Sequence, residues 1–142
     1  MLVDANVLLY AIDEDSRFHA AARDWLEATL NGTRRVGIPW ISISAFARIA
    51  THPRALRSPL TPMEAWGFID EWLDAPATWV PGPGRGHREI FGRLLRDLDL
   101  RANLVTDAAL AALCIEHGLQ MVSADSDFAR FTEIAWFNPV KA

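Results

Sequence analysis

Short apolar clusters, each followed by a longer stretch with helical spacing, run the length of this chain. "LVD" at residues 2–4 reads as a short buried strand, and "NVLLYAID" continues as a helix opened by Asp4 or Ala5, aspartate being a favoured N-cap. An acidic turn at Asp13, Glu14 and Asp15 precedes a second helical pattern, Phe18, Ala22, Trp25, Leu26 and Leu30, which "NGT" stops. "RVGIP" is a strand ending at a proline, and residues 40–51 form an apolar, serine-punctuated helix closed by "HP". Thr61, Pro62 and Glu64 carry a capping-box start for the next helix. "ATWVPGPG" is a strand running into a Pro/Gly loop, followed by an arginine-rich helix from about His87 to Asp97. "TDAALAALCIEHG" offers Thr106 as N-cap and Gly118 as stop. "LQMVSAD" is a buried strand, "SDFARF" a helical turn and "EIAWFNP" a last strand.

Strands that alternate with helices predict an α/β domain with a mainly parallel sheet, because parallel neighbours need a crossover connection. With 142 residues and 51% of them apolar, the chain is expected to fold as one domain, residues 1–142, around a full core. Its formal charge of −4 argues against a generally basic nucleic-acid-coating protein but leaves room for a local basic face. Cys114, the only cysteine, fits a buried packing role. No secretory leader or bilayer-length apolar run is present, so a soluble cytoplasmic protein without membrane contacts is expected.

Three aspartates share one architectural address: Asp4 closes the first strand, Asp107 opens a helix, and Asp125 closes "LQMVS". Ligands of open α/β sheets gather at the carboxyl ends of the strands, where parallel neighbours would bring all three together. Crowded carboxylates raise one another's pKa unless a cation neutralises them, and Mg²⁺ suits a site of a few hard oxygens. Each aspartate also has a plain local use, Asp4 as an N-cap, Asp107 beside a helix N-terminus and Asp125 in a turn.

"VDANVLLYA", "FARIATHP", "TDAALAALCIEHG", "VSADSDFARF" and "FNP" stand in the order found in PIN domains, and from residue 2 to about 139 the chain resembles the VapC toxins of bacterial toxin-antitoxin pairs. The resemblance implies a three-layer α/β/α fold with a short-stranded, mainly parallel central sheet. It also implies an endoribonuclease dependent on Mg²⁺ or Mn²⁺, a homodimer, and a cognate VapB-type antitoxin that neutralises it. By position, Asp4, Asp107 and Asp125 match the family's catalytic metal ligands, and Asn6 and Ser123 match the polar residues that support them. Asp127 is a further candidate, equally explained as a cap of "SDFARF". One departure stands out: the glutamate usual three residues before the arginine matched by Arg48 is replaced by Ala45. Glu116 is a poor substitute, since nine residues from Asp107 is roughly 180° around a helix.

The expected reaction is hydrolysis of RNA phosphodiester bonds, with Mg²⁺ on Asp4 and Asp107 activating a water that Asp125 orients. Arg85, Arg88 and Arg93, with His87 and Arg96, make a candidate phosphate rim, or a solvated helix face partly offset by Glu89 and Asp97. Trp25, Trp40, Trp79 and Trp136 are expected in the core or flanking strands, whereas Trp66, Phe68 and Trp72 cannot all share one buried stripe. A different class of function, a PIN-fold module that binds RNA or a partner with weakened or lost catalysis, is consistent with Ala45. A haloacid-type phosphatase would want Asp where Asn6 stands, and a receiver domain would want a strand-end lysine, but Lys141 is the only lysine.

Overall fold

The computed structural model describes residues 1–141. Five two-residue strands, β1 (Leu2–Val3), β2 (Val36–Gly37), β3 (Thr78–Trp79), β4 (Met121–Val122) and β5 (Trp136–Phe137), pair in parallel in the order β3-β2-β1-β4-β5. The helices are α1 (Ala5–Ile12), α2 (His19–Leu30), α3 (Trp40–Ala50), α4 (Pro62–Asp74), α5 (His87–Asp97) and α6 (Asn103–His117), with a 3₁₀ turn at Ser126–Arg130. Among the described residues no helix is long and apolar enough to cross a membrane.

Side chains alternate across a strand, so even two residues sort the core into two layers. Val3 and Val122 point into a cluster with Val7, Leu26, Phe46, Ile69 and Trp72 from α1–α4. Leu2 and Met121 point to the opposite face, against Leu94 of α5 and Leu110, Leu113 and Cys114 of α6. The three-layer α/β/α arrangement follows, with β1 and β4 at its centre and Cys114 buried as expected.

The join between β2 and α3 sets the position of one wall of the strand-end crevice. Gly37 donates its N–H to the Met1 carbonyl, and the same ladder two residues on would need an N–H at Pro39. Proline has none, and the buried Ser42 hydroxyl donates to the Val3 carbonyl instead, at 2.7 Å. Thr61 and Glu64 form the expected reciprocal capping box on α4.

One expectation is corrected. Helix α6 begins at Asn103, after Ala102 at φ 53°, so Thr106 is not its N-cap and Asp107 lies beyond its first turn. Leu100 and Leu104 pack into the second core layer, and that burial draws the preceding segment into the helix against the local capping signal. Of the two places expected for Trp40, core or strand flank, it takes the flank just after β2 at 55% exposure, because Ser42, Ile43 and Phe46 take the inward face of α3. On α4, Trp72 is buried and Trp66 is the aromatic left outside.

Ser42→Ala is expected to strip the Val3 carbonyl of this donor and to cost about 1–3 kcal/mol. A fall in the urea midpoint at unchanged m-value would show it, and an unchanged midpoint would contradict it.

Candidate metal centre

The alternation that builds the core also aims the polar residues. Asp4, two residues after Leu2 in extended backbone, and Ser123, two after Met121, fall on the α6 side of the sheet. One Asp4 oxygen accepts from the Ala5 N–H at 2.8 Å, so its cap role is real. The other accepts from the Ser123 hydroxyl at 2.7 Å and from the Asn6 amide at 3.2 Å. Ser123 uses its whole hydrogen-bonding capacity here, since its oxygen also accepts from Asn6 at 3.0 Å and from the Asp125 N–H at 3.0 Å. The Asn6 carbonyl oxygen closes the network by accepting from the Ala124 N–H, and the Trp136 indole donates to the Ser123 carbonyl. Asn6 and Ser123 thus lock the ends of β1 and β4 together and fix the Asp4 carboxylate.

Asp107 projects from α6 toward the same edge. Carboxylate oxygens of Asp107, Asp125 and Asp127 lie within 4.8 Å of one another, beside Asp4. Asp125 caps the 3₁₀ turn by accepting from the Asp127 N–H at 2.8 Å; Asp127 is not the cap. Burial pushes the Asp107 carboxyl up to about 6, reinforced by the charges of Asp125, Asp4 and Asp127 and opposed by Arg130. Asp4 is also raised, first by burial and then by Asp125, while the Ser123 and Ala5 hydrogen bonds pull the other way. An anionic cluster of hard oxygens, one of them strained upward by its neighbours, matches a small divalent cation such as Mg²⁺ or Mn²⁺ in charge and ligand type.

The trio in closest register is therefore Asp107, Asp125 and Asp127, with Asp4 alongside, rather than Asp4, Asp107 and Asp125 alone. Ala45 sits on α3 near Thr106 and brings no carboxylate. Glu116 points elsewhere: it accepts from the Gly84 and Gly86 N–H groups at 2.9 and 3.2 Å and pins the loop before α5. A Cβ on Gly84 would lie 2.8 Å from that carboxylate, so a side chain there would push Glu116 off the loop it pins.

The proposed arginine rim divides. Arg85 and Arg88 flank the end of α6 that carries Glu116, nine residues or ~13 Å of helix from Asp107, and so do not border the acidic cluster. Arg93 is engaged by Glu133 in a bidentate pair. The cation that does border the cluster is Arg130, bound to an Asp127 carboxylate oxygen at 3.3 Å and to its carbonyl at 3.2 Å. The Asp-Arg spacing of three within "SDFAR" was its only sequence signal.

A family model described as the PIN domain matches residues 1–134. Ribonuclease VapC37 of Mycobacterium tuberculosis is 42% identical over 138 residues, covering 97% of this chain and 96% of the relative. Ribonuclease VapC33 of the same species is 36% identical over 141 residues, covering 99% of both. Among solved structures, VapBC2 from Rickettsia felis bound to a promoter DNA fragment superposes with a TM-score of 0.71 at 15% identity over 96% of each chain. VapBC-1 from nontypeable Haemophilus influenzae gives 0.68 at 14% identity, covering 99% of this chain and 98% of the other.

A carboxyl whose pKa rises on folding holds its proton more tightly in the folded protein, so its contribution to stability falls as pH climbs from 3.8 to about 6 and stays low above. Metal-free Asp107→Asn protein is accordingly expected to melt above wild type at pH 7.5, with the gap narrowing toward pH 4. A lower melting temperature at pH 7.5 would show that the Asp107 charge stabilises the fold.

Proposed function

The chain belongs to the PIN-domain family, and from that premise we propose that it is the toxin of a type II toxin-antitoxin pair, a metal-dependent endoribonuclease neutralised by a VapB-type antitoxin. The observation that carries the reading is the convergence of Asp107, Asp125 and Asp127 beside Asp4 at the strand ends. Its relatives' names as ribonucleases and the toxin-antitoxin complexes among its structural neighbours support the same direction.

Asp107, Asp125 and Asp127, with the outward lone pairs of Asp4, would hold Mg²⁺ or Mn²⁺, which supplies Lewis-acid polarisation of a phosphate oxygen and a more acidic water. The protein's own part is positional. Ser123 and Asn6 keep Asp4 aimed, the Ser123 hydrogen bond opposing the upward push of burial on its carboxyl, and the 3₁₀ turn presents Asp125 and Asp127 as one unit. Asp107, whose carboxyl is raised to about 6 by burial and by its neighbours' charges, would be returned to its ionised form by a bound cation. Arg130 offers a guanidinium to the incoming phosphodiester.

The antitoxin's seat in this reading is the groove of about 520 Å³ between α1, α2 and α4. Leu26, Phe68 and Trp72 give it an apolar floor, and Glu14, Glu27 and Glu71 an acidic margin, which suits an apolar segment with basic flanks. A homodimer in the cytoplasm completes the proposal.

Ala45 favours one competing reading, a PIN fold that binds RNA without efficient turnover. The discriminating experiment incubates antitoxin-free protein with a cellular RNA pool and Mg²⁺ or Mn²⁺. Cleavage abolished by chelator, by Asp4→Asn and by Asp107→Asn is the expected outcome, and RNA binding without cleavage beside an active VapC control favours the binding module. Ser123→Ala, which leaves every carboxylate in place, is expected to weaken Mn²⁺ affinity or activity about 10- to 100-fold.

A further inference from the structure

The Ser42 hydrogen bond to β1 fixes the rotation of α3 about its axis, and Trp40, Ser44 and Arg48 then form a stripe at four-residue spacing on the helix's open side. That stripe, Ala45 and Thr106 of α6 line one open hollow of about 470 Å³. Thr106 immediately precedes Asp107, so the hollow borders the acidic cluster. Three properties of its wall point to one ligand chemistry. Trp40 offers an exposed aromatic face at the helix start, and no ion pair among the described residues engages the exposed Arg48. The wall between them is uncharged, made by Ile41, Ser44 and the Ala45 methyl, and a carboxylate at position 45 would have both paired with Arg48 and repelled a phosphate. Aromatic planes bind bases by stacking, a contact open to unpaired nucleotides and closed to bases inside a duplex.

We propose that this hollow is the subsite for an unpaired nucleotide flanking the cleaved bond, its base stacked on Trp40 and a neighbouring phosphate held by Arg48. The eight-position step from Trp40 to Arg48 spans ~12 Å of helix, so the two side chains serve different parts of the strand. The proposal rests on the nuclease reading and adds the residues of this chain that grip the strand, Trp40 and Arg48, with Ala45 as the residue that opens the subsite.

The test measures binding of a labelled single-stranded oligoribonucleotide, and of the same sequence as a duplex, to full-length protein carrying Asp107→Asn to suppress turnover. Trp40→Leu keeps apolar bulk without a π face and is expected to weaken single-strand binding about tenfold with duplex binding unchanged, while Trp40→Phe retains most of the affinity. Arg48→Gln is expected to lower the slope of log affinity against log salt by about 0.7. Equal single-strand affinity for Trp40→Leu and its parent overturns the subsite and leaves the nuclease reading standing. Sedimentation of the same samples exposes the other occupant of such a face: dissociation of a dimer by Trp40→Leu at unchanged RNA affinity makes it a self-association surface and overturns the proposal. Single-strand binding by the unsubstituted protein with no metal-dependent cleavage overturns the nuclease reading while leaving the subsite standing.

Discussion

Mutual repulsion among four carboxylates at one edge of a parallel sheet is the constraint that the surrounding structure answers. Asp4 meets it with hydrogen bonds on both oxygens, and Asp125 with the N–H of Asp127. Asp107 is given no such bond among the described residues, and burial with its neighbours' charges raises its carboxyl to about 6. Local hydrogen bonding compensates the first two, and the rigidity of α6 against the second core layer holds the third in place regardless. Stored electrostatic stress of this kind would be relieved by a bound cation, so the metal binding proposed above and the stability of the fold would share one origin.

The polar network is economical because β1 and β4 are adjacent and parallel. A single hydroxyl, on Ser123, bridges Asp4, Asn6 and the Asp125 backbone, so the two strand ends cannot move independently. The other neighbour of β1 is tied differently: Pro39 leaves the Val3 carbonyl without a ladder donor, and Ser42 supplies one from the first turn of α3. That substitution of a side chain for a backbone donor sets which face of α3 looks onto the crevice, and hence where Ala45 and Trp40 stand.

The acidic site is redistributed rather than merely diminished. The carboxylate missing at Ala45 leaves α3 contributing an uncharged wall, while the 3₁₀ turn contributes two carboxylates and a guanidinium through Asp125, Asp127 and Arg130. Cations expected from the charge run after "PGPG" go mostly to other work: Arg93 pairs with Glu133, and Arg85 and Arg88 stand near Glu116 at the far end of α6.

Local chemistry alone determined much of this. Helical spacing, the Thr61–Glu64 capping box, the breakers at Asn31-Gly32 and Gly118, and strand-terminal aspartates are read within a few residues, and the ordered motifs carried the PIN resemblance from end to end. What needed the tertiary structure were questions of which neighbour wins. Thr106 has the chemistry of a cap, but burial of Leu100 and Leu104 started α6 at Asn103. Trp40 has the chemistry of a core residue, but Ser42, Ile43 and Phe46 took the inward face. Asp127 stood open between a cap and a cluster member, and Asp125, which accepts from the Asp127 N–H, takes the capping place and leaves the Asp127 carboxylate in the cluster. Spacing along a chain fixes which side chains share a face, whereas the partner of that face is fixed by packing across the sheet between residues more than a hundred positions apart.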